Sequence, residues 1–216
     1  MNSQALLSKV FLWMFFGLLV TFGTGYVVSM NPNMVLNVLG GYGMIICVLV
    51  ELALVIFLSA RITKMQPITA KISFLLYSFV SGLTFSSVFV VYEITSVLYV
   101  FLITALIFGV LAFIGATTKI DLTRMGTYLL MALIAILICT LVNLFLNSST
   151  FDLIISVVTI IVFLGFTAYD VQNILKLYES NMLPDDNLAI YGALDLYLDF
   201  INLFLQLIQF LGKSKD

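Results

Sequence analysis

The sequence predicts an all-α integral membrane protein with seven transmembrane helices, and three observations carry that prediction. Of its 216 residues, 62% are hydrophobic and 9% charged, with a mean hydropathy of +1.20. A soluble domain carries about 25% charged residues and could not cover so much apolar surface. Seven apolar segments each reach the ~20 residues needed to cross hydrocarbon as a helix. The polar stretches between them are too short for independent domains, so residues 1–216 read as a single transmembrane domain.

The first apolar run, near 10–30, follows Lys9 and lacks an A-x-A cleavage site, so it reads as a span rather than a signal peptide. Asn31-Pro32-Asn33 is a turn, and a second span is expected near 35–60. The basic stretch from Arg61 to Lys71, with Pro67, precedes a third near 72–92. A tight turn from Glu93 to Ser96 leads to a fourth near 96–117. Lys119, Asp121 and Arg124 mark the loop before a fifth near 125–146. Asn147 to Thr150, then Asp152, start a sixth near 153–177. Ser180 to Asn187, with Pro184, is the last polar break before a seventh near 187–211. Ser78, Gly82 and Ser86 recur every four residues, as do Ala105 and Gly109, continued by Ala112 and Ala116. Such small-residue faces let helices pack closely.

The distribution of Lys and Arg orients the chain. With the N-terminus cytoplasmic, Lys9, Arg61, Lys64, Lys71, Lys119, Arg124 and Lys176 lie inside and only Lys213 and Lys215 outside. A re-entrant last segment would place all nine inside, but the length of 187–211 favours a full crossing. The net charge of −2, with no long basic patch, gives no reason to expect nucleic acid. Histidine is absent, which removes imidazole catalysis, HExxH zinc sites and histidine-ligated haem. Cys47 and Cys139 sit in apolar runs without metal-ligand spacing and read as buried apolar residues. No tightly bound cofactor and no enzymatic activity are expected.

Against this apolar background the seventh segment carries a polar stripe. Asp195, Asp199, Asn202, Gln206 and Gln209 are spaced 4, 3, 4 and 3 apart, within an arc of about 80° on an α-helix. Asp170 lies deep in the preceding segment and Glu51 in the second. Acids at membrane depth are costly and mark functional sites. Two close carboxylates cannot both ionise cheaply, so they share one proton and titrate as a unit. Ca²⁺ seeks the same oxygens, so proton and cation compete. Arg61, at the cytoplasmic end of the second segment, could latch a released carboxylate. Depth counted from the 180–187 loop places Asp195 nearer to Asp170 than Asp199.

Several stretches resemble the Bax inhibitor-1 family, above all its bacterial members. Leu196 to Leu205 (LYLDFINLFL) and Tyr169-Asp170-Val-Gln172 carry the similarity. Tyr77 to Ser87 (YSFVSGLTFSS), Gly115 to Asp121 (GATTKID) and Leu164 to Asp170 (LGFTAYD) extend it across nearly the whole chain. The resemblance implies a central C-terminal helix with the other six wrapped around it. It implies a pH-sensitive calcium leak in the bacterial inner membrane, gated by two aspartates that share a proton. By motif these are Asp170 and Asp199, which makes them also the expected Ca²⁺ ligands. Arg61 would be the basic latch, with Glu51, Asp195 and Asn202 along the pathway. The expected partners are the lipid bilayer, Ca²⁺ and protons.

Other readings stay open at the level of sequence. A cation/proton exchanger would use the same pair. A non-transporting regulator of stress response or proteolysis would act through membrane-protein partners. An intramembrane aspartyl protease is disfavoured. Its G-x-G-D motif is missing, since Gly192-Ala-Leu-Asp195 lacks the second glycine, and no Pro-Ala-Leu is present.

Overall fold

The computed structural model describes residues 2–62, 64–181 and 183–215. Eight helices follow one another: α1 (Ser3–Ser29), α2 (Pro32–Leu39), α3 (Gly43–Arg61), α4 (Pro67–Val91), α5 (Ile94–Thr117), α6 (Thr123–Leu146), α7 (Ser149–Glu179) and α8 (Asp185–Leu211). All but α2 are long and apolar enough to cross a membrane, as the seven-span reading expects. Asn2 caps α1, its side chain accepting from the Ala5 N–H at 2.8 Å, so this helix starts seven residues before the expected span.

The second span is shorter than its apolar run. Instead of one helix over 35–60, the chain breaks at Gly40-Gly41 into α2 and α3. Gly41 takes φ +55°, a left-handed conformation that a side chain would resist. Asn31 and Pro32 start α2 as cap and first-turn residue, so local signals define a separate helix at both ends.

The chain forms two compact units. The first comprises Met1–Val97, Leu177–Tyr197 and Lys213–Asp216; the second comprises Leu98–Lys176 and Leu198–Gly212. In the first unit α1 lies along α4, and the small residues of α4 permit it. A Cβ on Gly82 would sit 2.8 Å from Thr21 O and 2.6 Å from Thr24 Cβ, so only glycine admits this approach. The stripe on α5 behaves differently: the space above Gly109 is open, and the close approach falls instead at Gly115, against Ala168 O of α7.

Contacts within the first unit fix the course of α8. Its first turn meets the start of α4, since Asp186 accepts from Lys71 Nζ at 3.1 Å and from Lys9 Nζ of α1. The residues after it meet the end of α4, where the Lys215 N–H donates to Val91 O at 2.9 Å. The 25 residues of α4 span about 37 Å. The last helix therefore crosses fully and does not re-enter. It is also the most buried of the seven: 72% of its apolar window is interior, against 6% for α3 and for α6.

Candidate functional site

The burial of α8 places Asp199 inside protein, where every polar group needs a partner, while Asp195, Asn202 and Gln206 are half-buried and Gln209 is exposed. In the second unit Asp199, 4% exposed, comes up against the half-buried Asp170 of α7, carboxyl to carboxyl. Asp199 lies 14 residues into the 27-residue α8, close to its midpoint. Asp170 is nine residues from the end of α7, about 13 Å along its axis. The motif residues Asp170 and Asp199 thus come together in the second unit, and Asp195 belongs to the first.

Around the pair, the motif residues of the second unit hold one another. Gln172, two residues beyond Asp170, clamps the loop before α6. Its Nε2 donates to Ile120 O at 2.9 Å, and its Oε1 accepts from the Leu122 N–H at 2.8 Å. Lys176, one turn on, donates to Asp121 and to Thr123 Oγ1. Those contacts hold the exposed Asp121 carboxyl well below the usual carboxylate range, with the Lys176 hydrogen bond the largest cause. A Cβ on Gly126 would fall on the Tyr169 ring, and Phe101 and Phe108 of α5 pack on Phe200 at 5.2 and 5.6 Å. The YDVQ and GATTKID stretches therefore position α7, and with it Asp170.

Further along α8 the stripe changes character. Asn202 turns its Nδ2 back to Leu198 O at 2.8 Å, a bond within its own helix. Gln206 Oε1 is buried with no hydrogen-bond partner, and Gln209 Oε1 accepts from Ser156 Oγ at 3.4 Å. Gln206 is about 10 Å along the axis from Asp199.

The remaining expected residues lie in the first unit. Asp195 is half-buried on α8, and Arg61 closes α3, exposed. Glu51 faces α4, where Thr84 Oγ1 donates to Glu51 Oε1 at 2.6 Å and lies 2.9 Å from Ser81 O.

Sequence reasoning missed a buried hydroxyl chain beside Glu51. Thr21 Oγ1 donates to Ser78 O at 2.9 Å, which uses its only hydrogen. Tyr197 Oη, 2.6 Å from Thr21 Oγ1, must then be the donor between them. The chain therefore runs from Tyr197 through Thr21 to the backbone of α4. The Phe74 and Tyr77 rings pack edge-on against Tyr197 at 5.8 and 5.7 Å. The signal was present in the hydroxyls at 77, 78, 81 and 84, but nothing local identified Thr21 and Tyr197 as their partners. Among the described residues, no group of three or more Cys, Asp or Glu is arranged to hold a metal ion.

Comparison with known proteins agrees with the motifs. Residues 3–216 match the family model described as inhibitor of apoptosis-promoting Bax1. The chain is 41% identical to an uncharacterised protein of Borreliella burgdorferi, over 97% of this chain and 92% of the relative. It is 41% identical to the inner membrane protein YbhL of Escherichia coli strain K12, over 98% and 93%. An uncharacterised protein of Deinococcus radiodurans is 34% identical over 99% and 92%.

Proposed function

The chain belongs to the Bax inhibitor-1 family, and from that premise we propose that it is a pH-sensitive calcium leak gated by Asp170 and Asp199. The observation that supports this reading is the approach of the buried Asp199 carboxyl of α8 to Asp170 of α7. With the proton in place, the two helices are joined there. Without it, two like charges face each other in a low-dielectric interior, and the contact becomes repulsive. A divalent cation can replace the proton, because hard carboxylate oxygens suit Ca²⁺. Protons therefore close the path, and their loss admits Ca²⁺.

We place the protein in the bacterial inner membrane with its N-terminus cytoplasmic. Lys9, Arg61, Lys64 and Lys71 then share one end of the first unit, in keeping with the excess of basic residues on cytoplasmic loops. Arg61 at that end is the residue available to latch a released carboxylate. Glu51, Asp195 and Asn202 line the route.

The test is Ca²⁺ entry into liposomes holding the purified protein, between pH 6 and 8, with Asp170→Asn and Asp199→Asn alongside. Flux that rises with pH in the wild type and is flat in both variants supports the leak. Equal flux at every pH in all three proteins refutes it. Proton movement in fixed ratio to Ca²⁺ would replace the leak by exchange.

A further inference from the structure

The residues after α8 form a strap across the end of α4. Beyond Leu211 the chain runs antiparallel to the turn between α4 and α5 and bridges it at Tyr92 and Ser214. The Glu93 N–H donates to Lys213 O at 2.9 Å, and the Lys215 N–H donates to Val91 O at 2.9 Å. The Lys213 N–H donates to Ser96 Oγ at 3.2 Å, and Lys213 Nζ pairs with Glu93 at 2.8 Å. Lys215 Nζ donates to Phe89 O at 2.6 Å.

These bonds answer a specific need of α4. The last four carbonyls of any helix lack partners within it. Here Val88 O accepts from the Tyr92 N–H, while Phe89 O and Val91 O both accept from Lys215. One residue of the strap thus closes the helix, and its ammonium sits at the negative end of the helix dipole. Undocking would return two carbonyls of α4 and the Glu93 N–H to solvent, so the docked and free states are distinct. The strap also lies beside two of the four points where the chain passes from one compact unit to the other, after Val97 and after Gly212.

We propose that residues 212–215 are an outer strap whose docking holds α8 in the closed state and whose release accompanies opening. The control it exerts builds on the leak reading above, whereas its docking does not. Since α8 carries Asp199, a restraint on its outer end opposes the separation of α7 and α8 that follows proton loss.

Two perturbations push the strap in opposite directions. Lys215→Pro removes the N–H and the ammonium together, and loss of two such bonds shifts the docked-to-free ratio by ~10-fold or more. Tyr92→Cys with Ser214→Cys locks it. The two ladder bonds flank this pair, which makes it a non-hydrogen-bonded antiparallel pair with Cα atoms about 4.5 Å apart, within disulfide range. Cys47→Ala and Cys139→Ala in the background leave only the new thiols.

Expected are near-complete oxidation of the Cys pair, loss of most Ca²⁺ flux at pH 8 that reductant restores, and several-fold higher flux at pH 6 for Lys215→Pro. Failure of the pair to cross-link overturns docking. Cross-linking with unchanged flux, in a wild type that does leak, overturns control while leaving the leak intact. A wild type without Ca²⁺ flux at any pH overturns the leak and with it the control, while the cross-linking yield still decides docking.

Discussion

Tyr197→Phe removes one oxygen from the interior of the first unit and cuts the hydroxyl chain at its head. The ring stays, so the edge-on contacts with Phe74 and Tyr77 are retained. The hydrogen bond donated to Thr21 at 2.6 Å is lost. Hydrogen bonds between membrane helices contribute about 0.6 kcal/mol each on average. For a chain of this length each kcal/mol shifts the melting temperature by about 2–4 °C, which predicts a fall of about 1–2 °C. The measurement is thermal unfolding in detergent, with Thr21→Val and the double variant completing a cycle. Because both singles break the same bond, the double should cost clearly less than their sum. Unchanged melting in Tyr197→Phe, or strict additivity in the cycle, would refute the bond from Tyr197 to Thr21.

The other expectations concern packing, charge and the stripe. Gly82→Ala forces a Cβ against Thr21 O and Thr24 and should destabilise the protein by about 1–3 kcal/mol, while Gly109→Ala, with open space above it, should melt like the wild type. Asp121 has its carboxyl pKa depressed by Lys176, so its contribution is present above the unfolded value of about 3.9 and is lost only as pH falls below that. Asp121→Asn should therefore leave any pH response between 6 and 8 untouched; a changed profile would place a pH-sensing role in that loop. Gln206→Leu removes a buried acceptor that has no hydrogen-bond partner, and should melt no lower than the wild type. A fall of several degrees would mean that the carbonyl has an occupant, whether water or cation.

The spans were legible because length and hydropathy decide what can cross a bilayer. Other features needed coordinates. The break at Gly40-Gly41 was hidden by an apolar run that continues through it, although glycine with positive φ ends a helix whatever its neighbours' hydropathy. The partner of the Ser78–Gly82–Ser86 face could not be read locally, since any helix with small residues would suit; it is α1, through Thr21 and Thr24. Asp186 looked like part of a polar break, yet it receives Lys9 and Lys71 from two distant helices. Periodicity finds faces, and it does not say which faces meet.

The most direct measurement is the slope of log Ca²⁺ flux against pH for the wild type and for Asp199→Asn, in the same liposomes. One shared proton couples opening to pH by at most about tenfold per pH unit. The wild type should approach that slope between pH 6 and 8, and Asp199→Asn, whose amide can donate to Asp170 without a titrating proton, should be flat. An equal slope in the two proteins would contradict gating by this pair.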